Sequence, residues 1–203
     1  MLDRLSRRNT ARLFNGLSQA NVYGDDAQQA TNYPVLEIVN DSSQHVKFSR
    51  THDHSTMGVV TDGSIVSTQF DVPAITESGP SHLTVIANGI PSIGVPATVC
   101  APPVISNPSA SPNSLWPPNH EFVNVAISYD TSASVCPVTS ELTVTSNEID
   151  SDPEWIIVNA HQVQLVSERD GHGRTYTITI TTTDIVGEVT TKTVTVVVPH
   201  DQA

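Results

Sequence analysis

The chain is poor in aromatic residues, 5% of its 203 positions, and poor in basic ones, with nine Lys and Arg against 21 Asp and Glu. A net charge of −12 leaves no clustered Lys and Arg to displace counterions from phosphates, so nucleic acid is not expected as a partner. No apolar run approaches the ~20 residues of a membrane helix, so no membrane span is expected. The opening MLDRLSRRNTARLF carries Arg but no apolar segment of signal-peptide length. No G-x-S-x-G elbow is present, which removes the usual setting for a Ser-His-Asp hydrolase. Helical periodicity is missing as well; NGLSQANVYGDDAQQA holds at most one short turn of helix. Cysteine is scarce, and Cys100 and Cys136 suffice either for one disulfide or for two small buried thiols.

What remains is a chain rich in Thr, Ser and Val, punctuated by Gly and Pro, which suits short half-buried strands. The expected class is all-β. Strand-length runs PVLEIV, HVKFSR, GVVT, SIVSTQF, HLTVIA and VPATV fill the stretch from Tyr33 to Val99. Asp62-Gly63 and Asn88-Gly89 supply the positive-φ residues of tight hairpins. The pattern breaks at Cys100-Ala101-Pro102-Pro103, which places a domain boundary near residue 102. Beyond it, Val123, Val125, Ile127 and Tyr129 alternate with smaller or polar neighbours. So do Tyr176, Ile178 and Ile180, and then Val194, Val196 and Val198. Each set belongs on the core face of a strand. Six or seven strands in ~95 residues fit an Ig-like sandwich, so the expectation is two tandem Ig-like β-sandwiches.

Residues 14–99 resemble the C-terminal early-set Ig-like domain that follows a kelch-type propeller in galactose-oxidase-like proteins. The resemblance rests on Asn15–Gln19, Tyr23-Gly24-Asp25-Asp26, Ala30–Pro34, Arg50-Thr51-His52, Ser67–Pro73 and Val85–Ser92. It implies a propeller as the neighbouring domain, and the propeller supplies most of the active site in that family. In its copper-radical oxidases the His of a Thr-His pair on this domain ligates copper, and Thr51-His52 resembles that pair, although His54-Ser55-Thr56-Met57-Gly58 stands where a basic run usually follows. Read from the residues alone, His52 and His54 in H-x-H spacing fall on one face of a strand and can chelate Cu²⁺ or Zn²⁺. The alternative is a polar strand end that hydrogen-bonds a turn.

Residues 103–202 resemble an Ig-like accessory module of secreted bacterial proteins. The marks are Leu115–His120, Thr145–Glu148, Ser167-Glu168-Arg169, Gly173–Ile178 and Pro199–Gln202. That family usually carries Cys near the positions of Ser140 and Thr182. The resulting plan is a fragment edge or N-terminal extension over residues 1–20, an early-set domain over 21–102 and an accessory domain over 103–203.

Two chemical readings compete with a purely structural one. Glu148, Asp150, Asp152 and Glu154 lie close in sequence, and Asp170 and Asp184 fall in later turns that can converge on a Ca²⁺ ion at one end of a sandwich. The bland alternative is a solvated acidic loop. Trp116 and Trp155 can stack on a glycan, but packing at the end of the core and burial, respectively, are the simpler accounts. The sequence thus points to a non-catalytic structural or interaction module, extracellular or at the cell surface, with no cofactor of its own. A propeller-lacking part of a copper oxidase and a calcium-dependent adhesion or glycan-binding module are the alternatives.

Overall fold

The computed structural model describes residues 6–12, 34–56, 64–87, 89–132, 135–148 and 154–201. Among them it has fourteen strands and no helix, and every strand pairing is antiparallel. The chain divides into two compact units between Ala101 and Pro102. No helix is long and apolar enough to cross a membrane among the described residues.

The first unit holds β1 (Ser6–Arg12), β2 (Val35–Asn40), β3 (Val46–His52), β4 (Ile65–Asp71), β5 (Gly79–Ala87), β6 (Ile90–Pro91) and β7 (Val95–Val99). They form one sheet in the order β1-β4-β3-β2-β5-β6, with β7 also on β5. Strand β3 changes partner along its length: Val46 to Arg50 face β2, while Thr51 and His52 face β4. The β5–β6 hairpin closes with Ala87 opposite Ile90 and Gly89 at φ +73°, a conformation glycine adopts without strain. Asp62-Gly63, the other expected hairpin, and the run GVVT lie outside the described residues. Strand β1 departs from the sequence reading, which left residues 1–20 outside any domain: it pairs with β4 over its whole length. A polar segment, SRRNTAR, becomes a strand here because β4 offers it a free edge. Among the described residues, the buried apolar cluster of this unit is built on Leu36, Ile38, Phe70 and Val99.

The second unit holds β8 (Val104–Ser111), β9 (Phe122–Ser132), β10 (Val138–Ser146), β11 (Trp155–Asn159), β12 (Gln162–Val166), β13 (Gly173–Asp184) and β14 (Val189–Pro199). They form a four-stranded sheet, β11-β12-β9-β8, and a three-stranded sheet, β10-β13-β14. Alternation decides which side chains meet. Val125, Ile127, Val163 and Leu165 of one sheet share a core with Leu142, Val144, Ile178, Ile180, Val194 and Val196 of the other. All the alternating residues expected at the core are buried there except Val123, which is partly buried and packs against it. Ahead of β9 the chain is pinned along β14: Leu115 N–H donates to Val197 O (2.8 Å) and Val197 N–H to Asn113 O (3.0 Å). This plugs Leu115 into the core and leaves its neighbour Trp116 42% exposed, so the residue that packs is the leucine, not the expected tryptophan. Trp155 is half-buried and meets Tyr176 edge-on, ring centroids 6.4 Å apart.

Ile178 is fully buried on the central strand β13. Ile178→Ala is expected to cost about 2–5 kcal/mol through the lost methylenes and the cavity left behind. Thr179→Ala, one residue on and facing outward, should stay within about 0.5 kcal/mol. Urea unfolding of the full chain measures both.

Candidate functional site

The inward row of β13 begins with a charge. Gly173 enters the strand at φ +112°, where a Cβ would come within 3.1 Å of the Val198 carbonyl oxygen, so only glycine fits this approach to β14. The next residue, Arg174, takes the first inward position and is 1% exposed. A buried guanidinium has to be paired. Its Nε lies 3.3 Å from Glu148 Oε2 and its Nη1 3.4 Å from Glu154 Oε1. Nη1 also donates to the Tyr176 hydroxyl (3.2 Å), and the guanidinium sits 5.8 Å from that ring's centroid. Tyr176 in turn donates to Val166 O (2.9 Å), and Asp170 N–H donates to Glu148 Oε2 (2.8 Å). Burial raises the Tyr176 phenol above its usual pKa, against the opposing pull of the Arg174 hydrogen bond and charge. The cluster underlies an open depression of about 490 Å³ lined by Asn147, Glu148 and residues 170–174.

This arrangement changes the meaning of the acidic residues. Glu148 and Glu154 serve as counterions to Arg174, and Asp170 meets Glu148 through its backbone. Asp150 and Asp152 lie outside the described residues. Asp184 does not converge with Asp170, because they flank opposite ends of β13. At strand rise, the ten residues from Arg174 to Asp184 span about 33 Å. Asp184 instead organises the β13–β14 turn, where its Oδ1 accepts the N–H groups of Val186 and Glu188 (2.9 Å each). Arg174 was not singled out from the sequence, although a signal was available: it shares the parity of Tyr176, Ile178 and Ile180.

In the first unit, His52 is the last residue of β3, and Asp53 follows at φ +48°. That turn breaks the strand period, so His52 and His54 do not share a strand face as H-x-H spacing predicted. His52 Nδ1 lies 2.8 Å from Asp53 Oδ2, and its Nε2 lies 3.6 Å from Asp71 Oδ1. Burial lowers the His54 pKa, the nearby His52 adds to the lowering, and Asp53 opposes it. At the other end of the sheet, Asn40 Oδ1 accepts the N–H groups of Ser42 and Ser43 (3.0 Å each), and Asn40 is buried. Asn40-Asp41-Ser42 thus forms a side-chain-bonded turn. Glu77 ties that turn down, through a hydrogen bond from Ser43 and a 2.8 Å contact with His45 Nδ1; these bonds, Ser43 first, hold its carboxyl below the usual value.

Among the described residues, no group of three or more His, Cys, Asp or Glu side chains is placed to hold a metal ion. Cys100 and Cys136 are both disulfide-bonded. Ser140 and Thr182, where the second resemblance implies cysteines, face each other across β10–β13 and hydrogen-bond at 3.0 Å. No family model matches the chain, and no curated protein matches it.

Removing the guanidinium strands two carboxylates, so Arg174→Ala should cost about 3–5 kcal/mol. Arg174→Met combined with Glu148→Gln and Glu154→Gln, which removes the charges together, should cost much less. Thermal melts followed by circular dichroism separate the two cases.

Stability of the first unit should fall in acid in two steps. An unfolded chain takes up protons at His54 near pH 6.5 and at Glu77 near pH 4.5, before the folded chain does. Protonation therefore favours unfolding as pH falls through each value. Melting temperatures between pH 8 and pH 3 read this out. His54→Gln should flatten the upper step and Glu77→Gln the lower one.

Proposed function

We propose that the chain is a pair of Ig-like accessory modules from the C-terminal end of a secreted multidomain bacterial protein, acting as a non-catalytic support or interaction unit for its neighbour. The observation that carries this reading is the strand order of the second unit. Lettered A to G in chain order, β8 to β14 form one sheet A-B-E-D and another C-F-G, the arrangement of an Ig constant-type domain. Tyr176 near the start of the sixth strand, bonded back to Val166 O, matches the tyrosine corner of such domains. For the first unit the reading rests on its resemblance to early-set domains and on its antiparallel sheet. A kelch-type propeller is the neighbour that resemblance implies.

The site chemistry agrees with a supporting role. The charged groups that stood out are engaged in holding the fold: Glu148 and Glu154 on Arg174, Asp184 in a turn, His52 between Asp53 and Asp71. Disulfide-bonded cysteines suit an oxidising compartment outside the cytosol, hence an extracellular or cell-surface location.

The purified full chain, loaded with Cu²⁺ and given galactose or methylglyoxal in air, should release no more hydrogen peroxide than protein-free copper. Copper-dependent peroxide that disappears in His52→Ala would overturn the non-catalytic reading and make His52 a copper ligand.

A further inference from the structure

On β9 and β12 the residues that alternate with the core turn outward, and three of them are amides joined to one another. Gln162 Nε2 and Gln164 Nε2 both donate to Asn124 Oδ1, at 3.3 and 3.0 Å. One acceptor thus fixes two donors, so the three side chains are ordered before any ligand arrives and little further entropy is lost on binding. The arrangement leaves the Asn124 amide hydrogens and both glutamine carbonyls for a ligand.

Two apolar side chains border this triad. Ile156 of β11 sits beside Gln164 in the same cross-strand row as Asn124, and Phe122 lies two residues before Asn124 on the same face, about 6.7 Å away along the strand. Both are 46% exposed. The row Ile156–Gln164–Asn124 carries no ionisable group, and neither does the next, Asn159–Gln162–Ala126–Ser111. In a chain of net charge −12 this is a neutral, hydrogen-bonding strip with an aromatic edge.

We propose that the outer face of the four-stranded sheet binds a neutral polysaccharide, with Asn124, Gln162 and Gln164 bonding its hydroxyls and Phe122 lying against the C–H face of a sugar ring. Fixed amides complement vicinal hydroxyls, which both donate and accept. An exposed ring covers the apolar face of a pyranose. The strip offers no cation to an acidic glycan, and the chain's negative charge opposes one.

Native affinity electrophoresis of the full chain in gels containing xyloglucan, galactomannan or mixed-linkage β-glucan tests this. Migration should be retarded in at least one gel relative to a polysaccharide-free gel. Phe122→Ala and Gln164→Ala should each weaken binding about tenfold with unchanged melting temperatures. Thr179→Ala, on the outer face of the other sheet, should bind like the parent. No retardation in any gel would overturn the proposal and leave a protein neighbour as the occupant of the strip. Retardation that survives both substitutions, that is lost with Thr179→Ala, or that is stronger in polygalacturonate would overturn it as well. The copper experiment is independent of this outcome, so the two readings fail separately.

Discussion

Every second residue of β13 points into the core, and most of the second unit is arranged around that row. From Arg174 to Asp184 the inward positions are all buried, and the strand is flanked on both sides, by β10 and β14. Its middle, Tyr176, Ile178 and Ile180, is apolar or aromatic and packs against the opposite sheet. Its ends are charged. At one end Arg174 gathers Glu148, just after β10, and Glu154, just before β11; at the other Asp184 holds the turn to β14. Between them Thr182 bonds Ser140 on β10. One strand therefore ties together its sheet, with charged contacts at each end.

The two outer faces of this unit are chemically distinct. On the three-stranded sheet the outward positions form a threonine lattice, with Thr143, Thr179 and Thr193 in one cross-strand row and Thr145, Thr177 and Thr195 in the next. Threonine combines β-branching with a hydroxyl, so such a face favours the strand conformation and stays wetted without a ligand. The four-stranded sheet carries amides and an exposed phenyl ring instead, which strand propensity alone does not call for. Much of the negative charge of this unit sits off both faces, in connecting segments such as those of Glu168, Asp170 and Asp201.

The first unit is organised differently. Among the described residues its buried apolar cluster is smaller, and polar contacts fasten its turns: Glu77 reaches Ser43 and His45, and His82 Nδ1 lies 2.5 Å from Asp41. Interactions of this kind, exposed and partly ionic, are weak individually and depend on pH and salt. The response of this unit to acid is carried by His54 and Glu77, whose side chains the fold holds below their usual pKa values.

The class and the buried faces of the clearly alternating strands were legible in the sequence, because a period of two is local. Val125, Ile127 and Tyr129, or Val194, Val196 and Val198, reveal their face without reference to any other segment. The pairing of charges was not legible. Arg174 meets Glu148 across 26 residues, and that contact exists only once β10 and β13 have taken their register. The same distance from local pattern separated Asp184 from Asp170 along a strand no sequence count had measured. It also gave the polar segment Ser6–Arg12 a place beside β4. The sequence by itself determined the all-β class and the buried face of the strands that alternate clearly. Tertiary structure alone decided which charges would meet, since electrostatic partners are chosen by distance in space and the chain encodes that only through the packing of the whole.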